Sequence, residues 1–174
     1  MKNTDWHGIM KIQEVTHRDS SGKLLFCERN IYNILHNDGE QFLLRAAFTG
    51  GQNSNVIPEN YYLGLDNRSQ VDVLDDMDSV ISEPQSGGYE RQSVSSSGDF
   101  AINFENEHYV ATSPIVAFRS TSSSWGPVSN LFLTDKSTNA GYLISTAVLS
   151  SPLVVNVGDS VTMRIGMKLR DCII

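Results

Sequence analysis

The stretch DSVTMRIGMKLRD, residues 159–171, decides how the rest of the chain is read. Val161, Met163, Ile165, Met167 and Leu169 alternate with Ser160, Thr162, Arg164, Gly166 and Lys168. Successive side chains of a β-strand point to opposite faces. A period of two therefore predicts a strand with one face buried and the other in water. FAINFE (100–105) repeats the pattern, with Phe100, Ile102 and Phe104 on one side and Ala101, Asn103 and Glu105 on the other.

Working outward, short runs between turn signals read as further strands. They are MKIQEVTH (10–17), KLLFCER (23–29), YYLGL (61–65), YERQSV (89–94), YVATS (109–113), IVAFRS (115–120), NLFLTD (130–135), GYLISTAVL (141–149) and LVVNV (153–157). The breaks DSSG, QSGG, SSSGD, SSSWGP, KSTNAG, SSP and NVGD are rich in residues that permit positive φ, cap locally or fix φ. Many short strands at close spacing predict a mainly β chain folded as an antiparallel β-sandwich, jelly-roll-like.

One helix is expected near residues 38–49. In HNDGEQFLLRAAFTGG, Asn37 or Asp38 serves as cap, and Phe42 with Ala46, Leu43 with Ala47 and Leu44 with Phe48 form i,i+4 pairs. Gly50 and Gly51 then stop it. A second helical turn is expected in DVLDDMDSVI, with Leu74, Met77 and Ile81 on one face. No repeat or long linker divides the 174 residues, so a single domain is expected, with an N-terminal arm over about 1–10 and a C-terminal tail over about 170–174.

The net charge of −7 repels nucleic acid and anionic membrane, so neither is expected as a partner. No apolar run approaches the ~18 residues that span a bilayer, and MKNTDWHGIM shows no signal-peptide core. Cys27 and Cys172 lie far apart without metal-ligand spacing; two buried free thiols are expected, with a disulfide between them as the alternative.

Motifs for chemistry fail on inspection. GDSV (158–161) looks superficially like the nucleophile block of GDSL-type esterases, but no histidine follows His108 and Ser160 falls on the solvated side of a strand. Asp72, Asp75, Asp76 and Asp78 lack the alternate spacing and the glycine of a calcium loop. His7, His17, His36 and His108 show no ligand spacing, and His36 is read as a turn or cap residue before the helix. Asn67–Ser69 fits a glycosylation acceptor with no secretory context. No catalytic residue, cofactor or metal is expected. Tyr61, Tyr62, Tyr89, Tyr109 and Trp125 have two readings. One is packing in the core or at a protein interface; the other is a sugar-stacking surface.

Several blocks, in order, resemble small structural proteins of tailed bacteriophages. They are ERNIYNILHNDGEQFLLRAAF (28–48), YYLGLDNRS (61–69), EPQSGGYERQSV (83–94), SWGPVSNLFLTD (124–135), GYLISTAVLS (141–150) and VNVGDSVTMRIGMKL (155–169). The resemblance implies a virion component without enzymatic activity: a capsid decoration or cement protein, or a neck, tail or fibre-associated part; host-glycan binding is the separate alternative that the aromatic residues leave open. The implied partners are other copies of the chain, a trimer among them, and other virion proteins, the major capsid protein first. Assembly would take place in the bacterial cytoplasm. Trp6, Tyr61, Tyr62, Tyr89, Trp125, Ile173 and Ile174 are the candidate interface residues. Trp125, Gly126 and Pro127 are expected to form the corner that delivers the next strand into the sheet, with the indole bracing the sheet end or touching a neighbour.

Overall fold

The computed structural model describes residues 6–48, 57–80, 82–105 and 108–171. In chain order the elements are β1 (Trp6–Arg18), β2 (Leu24–Leu35), α1 (Asn37–Phe48), β3 (Asn60–Asp66), β4 (Gln92–Ser95), β5 (Ala101–Glu105), β6 (His108–Thr112), β7 (Val116–Arg119), β8 (Trp125–Thr134), β9 (Leu143–Val155) and β10 (Ser160–Asp171). The chain is mainly β with one α-helix. Its strands pair antiparallel in the order β4-β3-β8-β9-β2-β1-β10-β6-β5, and β7 also pairs with β10. The sheet curls into a half-barrel.

DSVTMRIGMKLRD supplies β10, which lies between β1 on one side and β6 and β7 on the other. Val161, Met163 and Ile165 are buried, as the alternation requires. They join Ile12 and Val15 of β1, Leu63 and Leu65 of β3, and Leu131 and Leu133 of β8 in one core. The curl lets a single sheet do this, because strands far apart in the order send the same face inward. Trp6–Met10 of the expected arm pair with Met167–Asp171 in the ladder, so the arm and tail are in part sheet.

Three strand readings need correction. GYLISTAVL and LVVNV form one strand, β9, that runs through Pro152. Val128 faces Leu153 and Asn130 faces Val148, so two residues of β8 span five of β9. Pro152 lies in that bulge, where its missing N–H removes no ladder bond. YVATS and IVAFRS are two stretches along the same edge of β10, interrupted at Ser113–Pro114. There the Ser113 backbone N–H donates to the Ile165 carbonyl, and the Ser113 hydroxyl accepts from the Ile165 N–H. FAINFE is a strand, but all five residues of β5 are exposed, and among the described residues no layer covers either of its faces. Only Phe100, just before it, is partly buried, with its ring edge against Tyr61.

The helix begins at Asn37, and His36 rather than Asn37 or Asp38 takes the cap position: its carbonyl accepts from the Glu40 N–H at 2.9 Å. Gly39 is buried where α1 crosses β9, and a Cβ there would collide with the Ile144 carbonyl. Glycine thus sets the distance between helix and sheet. Phe42 is buried against Tyr61 and Tyr142, whereas Leu44 and Phe48 face outward. The second helical turn is a 3-10 turn over Met77–Ser79, with Met77 buried and Leu74 exposed; Ile81 lies outside the described residues.

Candidate functional site

Trp125 opens β8 and is 4% exposed. Its Nε1–H donates to the Ser86 carbonyl at 2.8 Å. The loop approaches so closely because position 87 is glycine. Gly87 has φ +71°, and a Cβ there would stand 2.5 Å from the Ser123 carbonyl oxygen and 2.7 Å from the indole nitrogen. The indole edge meets the Tyr89 ring at 5.7 Å, and Tyr89 stacks on Phe118 at 6.0 Å. The bracing role expected of Trp125 is therefore carried out inside the fold.

From Tyr89 a polar chain runs across the sheet surface. The Leu65 N–H donates to the Tyr89 hydroxyl at 2.8 Å, and that hydroxyl donates to Glu83 Oε1 at 2.6 Å. Burial, then the Glu83 charge, pushes the Tyr89 pKa far above its ordinary value. Arg91 forks the Glu83 carboxylate, donates to the Asn139 amide oxygen, and lies over the Phe132 ring at 5.2 Å. Both charged side chains are nearly buried. Residues 83–91 thus form a strap pinned to β3, β7 and β8.

The seven candidate interface residues do not share one face. Tyr89 and Trp125 are internal to the strap corner. Tyr61 is partly buried with Phe42 and Phe100 on the helix side. Tyr62 borders a cleft beside the strap. Trp6 lies opposite Asp171 in the β1–β10 ladder, and Ile173 and Ile174 lie outside the described residues. Cys27 is exposed, against the expectation of a buried thiol; Cys172 lies outside the described residues.

The GDSV segment does bring a histidine to a carboxylate, a contact that sequence reasoning missed. Buried His17 and Asp159 meet at 3.0 Å, and Asp159 also accepts from the Asn156 N–H. In the ladder, however, His17 faces Val161 while Ser160 faces Arg18. Cross-strand partners share a face, so Ser160 and His17 project to opposite sides. The pair secures the turn before β10.

The acidic stretch is used locally. Asp72 and Asp76 cap turns, and Asp75 accepts from Arg68 Nη1 at 2.9 Å. Among the described residues no group of three or more His, Cys, Asp or Glu is placed to hold a metal ion. No helix among them is long and apolar enough to cross a membrane.

His36 is fully buried, with Nε2 2.8 Å from the Thr146 hydroxyl. Burial lowers its pKa below the ordinary value near 6.5, against the pull of the Asp75 carboxylate and the carbonyls of Asp72 and Val73. The unfolded chain therefore binds this proton more readily than the folded one. His36 stabilises the fold fully above about pH 6.5, and that contribution falls as pH drops toward the lowered folded pKa. Urea midpoints measured from pH 7.5 to 5 should decline, and His36→Gln should flatten the decline. An equal slope in the variant would place the effect elsewhere.

The β5–β6 hairpin is the other feature that sequence reasoning missed. Ile102 faces Ala111 and Phe104 faces Tyr109, so these side chains share one face. Ile102, Phe104 and Tyr109 are 72%, 65% and 70% exposed, and the Phe104 and Tyr109 rings lie 5.1 Å apart. Alternation shows which residues share a face, not whether anything covers it.

Compared with protein-family models, with curated proteins and with solved structures, the chain matches none.

Proposed function

We propose that this chain is a non-enzymatic structural protein of a tailed-bacteriophage virion, a capsid decoration or cement protein that binds the shell and further copies of itself. The observation that carries the assembly reading is the β5–β6 hairpin. Three large apolar side chains sit uncovered on one face of the last strand pair in the sheet order. Isolated exposed apolar residues are ordinary, but a contiguous group on a sheet edge is a pairing surface. Protected edges carry lysine, proline or a bulge; AINFE has no lysine or proline, and its register with β6 runs without a shift.

The occupant that fits is a second copy. Among the described residues β5 ends the sheet order, so its outer edge offers backbone groups for pairing, and the same strand across a twofold axis would pair antiparallel with the Ile102 and Phe104 rows in contact. Each such contact is small, and repetition around a closed ring or over a shell multiplies it. The phage part of the reading rests on the sequence blocks. Two of them, EPQSGGYERQSV and SWGPVSNLFLTD, meet at the Trp125–Ser86 hydrogen bond, so the resemblance falls on scaffold rather than on a reactive centre. As part of the same reading, the curled sheet is taken as a jelly-roll-like sandwich bent at β2. Residues 24–32 of β2 pair with β1, residues 33–35 pair with β9, and both halves supply the one core.

Light scattering, with co-sedimentation on empty capsids and separately on isolated tails, tests the proposal. The wild type is expected to be oligomeric and to bind capsids saturably. The Phe104→Ser/Tyr109→Ser variant is expected to be monomeric and to bind at least tenfold more weakly. Its fold should be retained, because both positions are exposed. Binding to tails alone would move the protein to the tail. A monomeric wild type that binds neither particle would overturn the reading.

A further inference from the structure

We infer that the cleft between the strap and the 137–139 loop is a binding site for a neutral saccharide. Its volume is about 480 Å³, and Tyr62, Glu83, Gln85, Glu90, Arg91 and Asn139 lie along it. This is within the ~300–1,000 Å³ typical of small-molecule sites.

The chemistry of the lining selects the ligand class. Arg91 is the guanidinium of the cleft, and it is neutralised by the Glu83 fork. The Glu90 carboxylate is exposed and makes no side-chain hydrogen bond among the described residues. With the chain's −7 charge, an anionic ligand is repelled. A purely apolar ligand would leave the lining carboxylates and amides without partners.

A sugar ring meets these demands. Arg91 holds the Asn139 amide oxygen, which fixes the side chain and leaves its NH₂ as a donor. The Glu90 carboxylate and the Gln85 amide oxygen are acceptors, and the Ser137 hydroxyl can act either way. Vicinal hydroxyls of a pyranose need this mixture of acceptors and donors. Tyr62 adds an aromatic surface for the apolar face of the ring, together with a hydroxyl for which no hydrogen bond is made among the described residues. Glu83, Arg91 and Tyr89 hold one another, so the site is largely formed before a ligand arrives.

The cleft is distinct from a row of Tyr61, Tyr62, Tyr89, Tyr109 and Trp125. Trp125 is buried in the strap corner, and Tyr62 is the ring that borders the cleft. It is also independent of the hairpin.

The test is titration of the full chain, followed by amide NMR shifts, with a panel of neutral di- and trisaccharides (gluco-, galacto-, manno- and N-acetylglucosamine-based) and with sialyllactose as the anionic arm. At least one neutral sugar is expected to saturate the protein in the millimolar range, with shifts confined to Tyr62 and its strand neighbours and to residues 83–91 and 137–139. Glu90→Ala and Tyr62→Ala should each weaken it about tenfold. The Phe104→Ser/Tyr109→Ser variant should bind as the wild type does. Glu90 is exposed, so its variant tests the site without disturbing the fold. No saturation by any neutral sugar at tens of millimolar, tighter binding of sialyllactose, or wild-type affinity in both cleft variants would overturn the inference.

Discussion

Trp125→Ala is expected to cost about 3–5 kcal/mol, the usual range for removing a buried tryptophan. For a chain of this size that corresponds to a fall of roughly 6–20 °C in the thermal midpoint. The loss has three parts. The indole fills the corner between β8 and the strap, supports the Tyr89 ring, and donates the bond that fixes Ser86. Without it, the Ser86 carbonyl loses its partner and Tyr89 loses the edge contact that orients its hydroxyl toward Glu83. Trp125→Phe keeps part of the ring packing and removes the donor, so about 1–3 kcal/mol is expected from the unpaired carbonyl together with the lost volume. Far-UV circular dichroism on heating separates the two. If both variants melt within about 2 °C of the wild type, the corner does not hold the strap. If phenylalanine costs as much as alanine, the hydrogen bond rather than the packing carries the effect.

The same corner shows what a sequence can and cannot disclose. The bracing role of Trp125 was legible, although Trp125-Gly126-Pro127 proves to be the first three residues of β8 rather than a corner before it, with Trp125 facing Val155 in the ladder. Its partner Ser86 was not, since the bond joins residues 39 apart in sequence. Val161, Met163 and Ile165 were legible as core because a central strand must have a covered face. Ile102 and Phe104 show the same alternation and are uncovered, because β5 ends the sheet order. Periodicity carries no information about position in the order. Pro152 misled for a related reason: it marks a turn unless the strand bulges there, and a bulge is a property of the pairing. The cleft was invisible, since Tyr62, Glu83 and Asn139 come from three separate segments.

Arg68→Ala should be about as damaging as Trp125→Ala, at about 3–5 kcal/mol, because it strands a buried charge. The Asp66 side chain is fully buried. Its Oδ2 accepts from Arg68 Nε at 2.7 Å and, more weakly, from the Asn130 amide at 3.3 Å. Arg68 also ties Asp75, and with it the turn at residues 72–75, to the end of β3. That segment leads to Met77 and Val80, which pack on Phe132 and Leu143. Losing Arg68 therefore removes the counter-charge and loosens a loop that covers part of the core. The pair is not ideal as it stands, since Arg68 Nη2 is buried without a hydrogen-bond partner. Two charges held in imperfect geometry are often replaced by neutral groups at little cost, whereas removing one of them is always severe. The double variant Asp66→Asn/Arg68→Met should accordingly recover at least half of the loss measured for Arg68→Ala. Urea unfolding gives the comparison, with the slope checked so that a shift in midpoint reports stability alone. A double variant no better than the single one would show that the hydrogen bonds, and not the stranded charge, hold the loop. In that case hydrogen exchange at residues 72–80 should rise equally in both.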